Sequence, residues 1–236
     1  MKTIMKKPLV FSALFSLVCV ASTPEECRER LVSPHRLLSV DEVQQLQGSL
    51  QNSQSIRDEI KTALGAESFH FSEGAVRGIT GDFLHVVTTS QGVLILIGDG
   101  NGHGIQAAND SIRLQSLLEG DRDQDGIPDA IQNQGSAPTP NASLSSLNAQ
   151  AAEYLAKRST NDAGLIAMQA VSIDRKGNVV IANSGMPNVH IVRKNGTVER
   201  FIPEGPMLGM LDAQTFSAVR GESLTCTLAS GDMLVL

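Results

Sequence analysis

A continuous apolar run, Val93-Leu94-Ile95-Leu96-Ile97, constrains the fold of this chain more than any other segment. No polar residue interrupts the run, so a strand formed here must be covered on both faces. The preceding segment, Leu84–Thr89, is rich in residues that favour strands, and Gln91-Gly92 is typical of a turn. The two segments together predict a hairpin whose second strand is buried on both faces.

The pattern after this hairpin mixes helices with short strands. Apolar spacing predicts one helix at Ile105–Leu118 and a second that includes Leu144, Leu147 and Ala151 on one face. The segments that follow predict strands: Leu165–Ile173, Val179–Asn183, Val189–Val192, Thr197–Phe201, Phe216–Val219, Leu224–Leu228 and Met233–Leu236. This order predicts an α+β sandwich with helices packed outside antiparallel sheets.

Charge and composition exclude some classes of function. The chain has 25 acidic and 19 basic residues and a net charge of −6, which argues against nucleic acid as a partner because phosphate neutralisation needs clustered Lys and Arg. With 7 Phe, 1 Tyr and no Trp, stacking of aromatic side chains on bases or sugars is not expected. The 41% of hydrophobic residues is enough for an aliphatic core.

The first 21 residues have the features of a targeting segment. Lysines precede an apolar run, Pro8–Ala21, which is shorter than the roughly 20 residues that a membrane-spanning helix needs. This arrangement is typical of a secretory signal peptide, and an uncleaved membrane anchor is the alternative. We therefore expect a chain exported to the periplasm or the extracellular medium, or attached to a membrane through its N-terminus, rather than a cytoplasmic one.

The rest of the chain divides into two parts. The sequence predicts a helical segment at residues 22–68, with a helix from about Ser55 to Leu64, that leads into the main domain at residues 69–236. In an oxidising compartment Cys27 and Cys226 could form a disulfide. Because they lie far apart in sequence, two unrelated thiols are the alternative.

Two acidic residues occur where strands meet glycine-rich turns. Asp82 comes just before the first predicted strand, and Asp99 follows the buried run within Gly98–Gly104, a segment in which every second residue is glycine. A hairpin of this length would return both carboxylates to one edge of the sheet. Carboxylates with the Gly100 carbonyl suit a hard cation, Mg²⁺ or Mn²⁺, although Gly-Asp-Gly on its own is also a common turn. The N-terminus of the helix that follows favours an anion such as phosphate.

A second acidic loop spaces its carboxylates as calcium-binding loops do. Asp121, Asp123, Asp125 and Asp129 occupy the first, third, fifth and ninth positions, and Gly126 the sixth. Gln132 stands where an EF-hand has its bidentate Glu, so the segment is more similar to the acidic repeats of extracellular calcium-binding proteins. The sequence predicts Ca²⁺ binding here, within an inserted loop of residues 120–140, and a solvated acidic loop is the alternative.

Several short motifs, in order, resemble the PPM-type metal-dependent protein Ser/Thr phosphatases, and the SpoIIE-like bacterial branch in particular. The resemblance covers about residues 70–236. Its motifs are Thr80-Gly81-Asp82-Phe83, Gly98–Ala108, Leu147-Asn148, Asn183–Pro187, Pro206–Gly209 and Gly231–Leu236.

The resemblance implies an αββα sandwich of two antiparallel sheets flanked by helices, with two Mn²⁺ or Mg²⁺ ions at one edge. Asp99 would be the catalytic acid that bridges the ions, Gly100 would offer its carbonyl, and Asp82 would be a further metal ligand. A metal-bound water would then attack the phosphorus of phosphoserine or phosphothreonine in a protein substrate.

The chain also departs from the family's pattern at several positions. His85 or Leu84 stands where the family has a second acid after Asp82, and Met186 stands where it has a His. The family continues beyond its Gly-Asp segment to a Thr-Asp-Gly metal ligand, whereas this sequence ends at Leu236. These departures fit a fragment of a longer protein, a truncated gene product or a true pseudo-enzyme. A catalytically inactive, phosphatase-like binding or regulatory module is the alternative function. A secreted, calcium-stabilised structural domain is a third.

Overall fold

The computed structural model describes Val43 and residues 53–64, 80–121, 127–132, 137–156 and 164–236. The targeting segment 1–21, Cys27, Asp123 and Asp125 lie outside these ranges, so the sequence predictions that involve them stay predictions. Among the described helices, none combines the length and the apolar composition that crossing a membrane requires.

A five-stranded antiparallel sheet forms the larger layer, with strand order β1-β2-β3-β4-β7. Its strands are β1 (Asp82–Thr88), β2 (Gly92–Gly100), β3 (Ile166–Asp174), β4 (Asn178–Ser184) and β7 (Leu224–Thr227). β2 pairs with β1 on one side and β3 on the other, and its residues 93–96 are buried. The predicted strand with two covered faces is therefore confirmed.

A three-stranded antiparallel sheet forms the second layer, with strand order β6-β5-β8. Its strands are β5 (Val189–Val192), β6 (Val198–Phe201) and β8 (Met233–Val235). β5 and β6 form a hairpin, as the turn residues Lys194-Asn195-Gly196 between the two strands predict. Gly196 has a φ of 87°, a value that glycine adopts readily. The outward face of this sheet exposes Val198, Met233 and Val235.

Alternating residues of the larger sheet separate two parts of the core. Leu94 and Leu96 of β2 pack on one face with helices α2 (Ile105–Leu118) and α3 (Pro140–Ala156). Val93 and Ile95 pack on the other face, in a cluster that includes residues of the smaller sheet and of helix α1 (Ser53–Leu64). The α+β class with two antiparallel sheets is thereby confirmed.

One predicted strand is wrong, because residues Phe216–Val219 belong to helix α4 (Ala213–Val219). Asp212 caps this helix by accepting hydrogen bonds from the amides of Gln214 and Thr215. Phe216 is fully buried, whereas Val219 is 54% exposed. Phe216 is the one buried residue of this helix, whereas a half-buried strand would bury every second side chain.

A cluster of charged side chains ties the two sheets together. The Arg193 guanidinium, at the end of β5, donates two hydrogen bonds to the Glu199 carboxylate, at 2.6 and 2.7 Å. It also donates to Asp232 Oδ2 and to the Thr227 carbonyl of β7, each at 2.7 Å. Because Thr227 belongs to the larger sheet and Arg193 follows a strand of the smaller one, the cluster connects both layers.

We expect Asp232→Asn to lower the melting temperature in a pH-dependent way. Hydrogen bonds from the amide of Ala229, the guanidinium of Arg193 and the amide of Lys194 lower the pKa of Asp232 to about 2. The carboxylate therefore stabilises the fold fully above its unfolded pKa of about 3.9. This stabilisation is lost as the pH falls through its folded pKa of about 2.

Circular dichroism melts of parent and variant across this pH range measure the effect. The difference between the two melting temperatures should be constant above about pH 5 and should shrink towards pH 2. Glu222→Gln, at an exposed position, is the control and should change little. A difference that does not vary with pH would contradict the assignment.

We expect Phe216→Ala to reduce the free energy of unfolding by about 3–5 kcal/mol, because it leaves a cavity in the core. Val219→Ala in the same helix should cost no more than about 0.5 kcal/mol, because that side chain is largely exposed. Chemical denaturation of both variants measures this contrast. Equal costs would show that α4 does not hold the core through Phe216.

Candidate functional site

The two acidic residues singled out from the sequence lie side by side at one edge of the larger sheet. Asp82 is the first residue of β1, and its partner in the antiparallel register is Asp99, near the end of β2. Asp99 in turn lies opposite Ala167 at the start of β3. The structure therefore brings the two carboxylates together at the edge that the hairpin length predicts.

The hydrogen-bond pattern determines how closely the two residues approach. The Gly100 amide donates to the Gly81 carbonyl at 3.0 Å, so Gly81 and Gly100 form a hydrogen-bonded pair. The next pair along an antiparallel ladder is not hydrogen-bonded, and its Cα atoms are only about 4.5 Å apart. Asp82 and Asp99 are that pair, so their side chains project together from the same face.

The electrostatics of this pair disfavour two negative charges. Partial burial raises the pKa of Asp99, and the negative charge of Asp82 and a hydrogen bond between the two side chains raise it further. Asp99 nevertheless stays accessible to solvent. A bound cation would relieve this repulsion, and two carboxylates on one accessible face have the chemistry to hold one.

Two glycines allow the close approach of backbone beside this pair. A Cβ atom at Gly81 would lie 2.7 Å from the Gly100 carbonyl oxygen and 3.1 Å from Asp99 Oδ1. A Cβ atom at Gly100 would lie 2.6 Å from the Ala107 carbonyl oxygen. Larger residues would therefore push β1, β2 and α2 apart, and the Gly100 carbonyl, a predicted metal ligand, would move away from Asp82.

The loop after β2 leads directly into the N-terminus of α2. Asn101, Gly102 and His103 are exposed, and Gly104 precedes the helix at φ 75°. Since Gly104 has no side chain, it cannot cap the first-turn amides of α2 as Ser or Asp would. These amides lie next to the carboxylate pair along the chain, so a phosphate group held there would meet hydrogen-bond donors.

Two buried asparagines hold the loops that surround this edge. The sequence analysis did not predict this role. Asn183 accepts a hydrogen bond from the Met186 amide at 3.2 Å and donates to the Met186 carbonyl at 3.1 Å. Asn148 of α3 accepts from the Gly209 amide at 2.9 Å and donates to the Leu211 carbonyl at 3.1 Å. Both residues lie in motifs shared with the family, which was the only sequence signal for them.

The acidic loop is a separate feature. It follows α2, so a helix of about 20 Å separates it from the N-terminal end of α2 near Asp99. The Asp129 amide donates to the Gly120 carbonyl at 2.6 Å, which brings the two ends of the loop together. In the part of the chain that the structure describes, no three His, Cys, Asp or Glu side chains form a group that could hold a metal ion. Calcium binding stays a prediction.

Comparison with known proteins decides the family. Residues 89–236, more than half of the chain, match the family described as Stage II sporulation protein E (SpoIIE). The chain belongs to the SpoIIE family. The matched region contains Asp99 and Gly100 and begins after Asp82. No match is found among the curated proteins.

Solved structures show the fold of this family member. The SiaA-PP2C domain of Pseudomonas aeruginosa is similar at a TM-score of 0.55 and 17% identity, over 80% of this chain and 68% of that one. The PP2C phosphatase domain of SpoIIE from Bacillus subtilis, with a fragment of its regulatory domain, has a TM-score of 0.49 and 18% identity, over 69% of this chain and 43% of that one.

 The family match and the likeness to the SiaA-PP2C domain together show a domain with the PP2C, or PPM, phosphatase fold.

We expect Asn148→Ala to reduce the free energy of unfolding by about 1–3 kcal/mol, because the Gly209 amide and the Leu211 carbonyl lose their partner. Urea denaturation measures this cost. Since Asn148 is fully buried, water cannot readily replace the lost bonds. An unchanged stability would show that the loop at residues 207–211 is held by other contacts.

Proposed function

We propose that this chain is a metal-dependent protein phosphatase that hydrolyses phosphoserine or phosphothreonine in a protein substrate. The observation that carries the proposal is the facing pair Asp82 and Asp99 at an accessible sheet edge. The family supports a phosphatase domain, and this pair supplies the acidic groups that such chemistry needs.

The residues present fit a divalent cation. Asp82 and Asp99 offer carboxylate oxygens and Gly100 a carbonyl oxygen, which are the ligands that Mn²⁺ and Mg²⁺ prefer. We propose these three residues as the metal ligands and the two aspartates as the catalytic acids. These three ligands can bind one metal ion, and a second metal ion is expected from the family resemblance alone. A bound ion would supply Lewis acidity and lower the pKa of a water molecule.

The chain's own groups would orient the phosphorylated substrate. Amides in the first turn of α2 can donate hydrogen bonds to phosphoryl oxygens, and the helix dipole favours negative charge at that position. The loop at Met186 and Pro187, shaped by Asn183, borders the same sheet edge, because Gly185 bridges to Met168 of β3. We propose that this loop contacts the polypeptide on either side of the phosphorylated residue.

Export and calcium binding extend this proposal. We propose that residues 1–21 direct the chain out of the cytoplasm or anchor it to a membrane. We also propose that the loop with Asp121, Asp123, Asp125 and Asp129 binds Ca²⁺ there. Both rest on sequence patterns alone.

We expect Asp99→Asn to reduce Mn²⁺-dependent hydrolysis of p-nitrophenyl phosphate and of a phosphoserine peptide by more than about a hundredfold, because a direct ligand is lost. Asp82→Asn should act in the same direction. Glu222→Gln removes one negative charge at an exposed position after α4 and is the matched control, with activity like that of the parent.

Product release measured with and without Mn²⁺ tests the proposal. A folded parent chain that shows no turnover with Mn²⁺ or Mg²⁺ would contradict it and favour a phosphatase-like binding or regulatory module. Turnover that survives Asp99→Asn would show that the reaction occurs at a different site.

A further inference from the structure

Ser111 of α2 makes a long-range contact to the edge of the larger sheet. Its side chain is almost fully buried, at 1% exposure, and its hydroxyl donates a hydrogen bond to the Gly81 carbonyl. Serine inside a helix commonly bonds to a carbonyl of its own preceding turn. Ser111 instead bonds to the residue that immediately precedes Asp82.

The Gly81 carbonyl joins three segments of the chain. It accepts the Gly100 amide at 3.0 Å, from the end of β2, and the Ser111 hydroxyl, from α2. A carbonyl oxygen has two lone pairs, so these two donors use its full capacity. The Gly81–Gly100 backbone pair, next to the carboxylate pair, is thus linked to α2 through Gly81.

This anchor lies at the first residues of a strand at the edge of the larger sheet. Among the strands that the structure describes, β1 lies at the edge of its sheet and pairs with β2 alone, and Asp82 is its first residue. The end of an edge strand frays readily, since one ladder alone holds it. When both carboxylates are ionised, repulsion between Asp82 and Asp99 favours separation, and a second attachment of residue 81 opposes it.

The packing leaves little freedom for this attachment to shift. A Cβ atom at Gly100 would lie only 2.7 Å from Ser111 Oγ, so the serine sits directly against the backbone at the end of β2. Movement of the hydroxyl would therefore move Gly81, Gly100 or both.

We propose that Ser111 is a positioning residue of the metal site: its bond to the Gly81 carbonyl holds Asp82 at the distance from Asp99 at which both can bind one divalent cation. The inference rests on the proposed function, because it assumes that these two aspartates are the ligands. It goes beyond it in assigning a role to a buried helix residue that touches neither metal nor substrate.

Ser111→Ala in the full chain tests this role, with Mn²⁺ alone as the probe. We expect the Kd for Mn²⁺, measured by electron paramagnetic resonance, to rise by about ten- to a hundredfold, as when a group that supports a metal ligand is removed. Hydrolysis of p-nitrophenyl phosphate should fall at limiting Mn²⁺ and recover at saturating Mn²⁺, which loss of structure alone would not produce.

Ser116→Ala is the matched control, because Ser116 lies in the same helix and donates only within it, to the Arg113 carbonyl at 2.8 Å. It should leave the Kd unchanged. If Ser111→Ala fails to fold, Ser111→Cys keeps a similar volume with a weaker donor and should raise the Kd by at least about threefold.

The outcomes separate the two proposals. A parent chain that binds no Mn²⁺ would overturn both the metal site and the role of Ser111. A parent that binds Mn²⁺ and loses it on Asp99→Asn, but whose affinity is unchanged in Ser111→Ala, would overturn the role of Ser111 and leave the metal site standing.

Discussion

The position of β2 between β1 and β3, with both of its faces covered, is the constraint on which the rest of the structure depends. Its apolar residues are hydrogen-bonded on both sides and packed on both faces. An ionised carboxylate could not lie within such a strand without a large desolvation cost. Asp99 therefore lies near the end of β2, where the chain leaves the core, and the candidate site is at the sheet edge.

The same arrangement explains why glycine and asparagine are concentrated around this edge. Gly81 and Gly100 let two strands and a helix approach within contact distance. Asn148 and Asn183 satisfy backbone groups of loops that cannot join a ladder. The site thus combines a pair of hydrogen-bonded strands, which places the carboxylates, with loops that are held individually by buried side-chain amides.

Much of the fold could be predicted from local pattern. The apolar run at 93–97, the helix Ile105–Leu118 and the hairpin turn at 194–196 are each indicated by residues within a short stretch of the sequence. The indication is the spacing of apolar residues in the first two and the turn residues in the third. The helix at Ala213–Val219 was missed because its short apolar segment suits either a helix or a strand. Its Asp212 cap and the burial of Phe216 decided the outcome.

The sequence by itself determined that this chain forms an α+β sandwich with two acidic residues at the ends of neighbouring strands, because apolar alternation and glycine spacing are local properties. Only the tertiary structure decided that Asp82 and Asp99 are directly opposite each other, that Ser111 bonds to the Gly81 carbonyl, and that Arg193 connects the two sheets. These contacts join residues far apart in sequence, and their geometry depends on how strands and helices pack rather than on any segment's own preference.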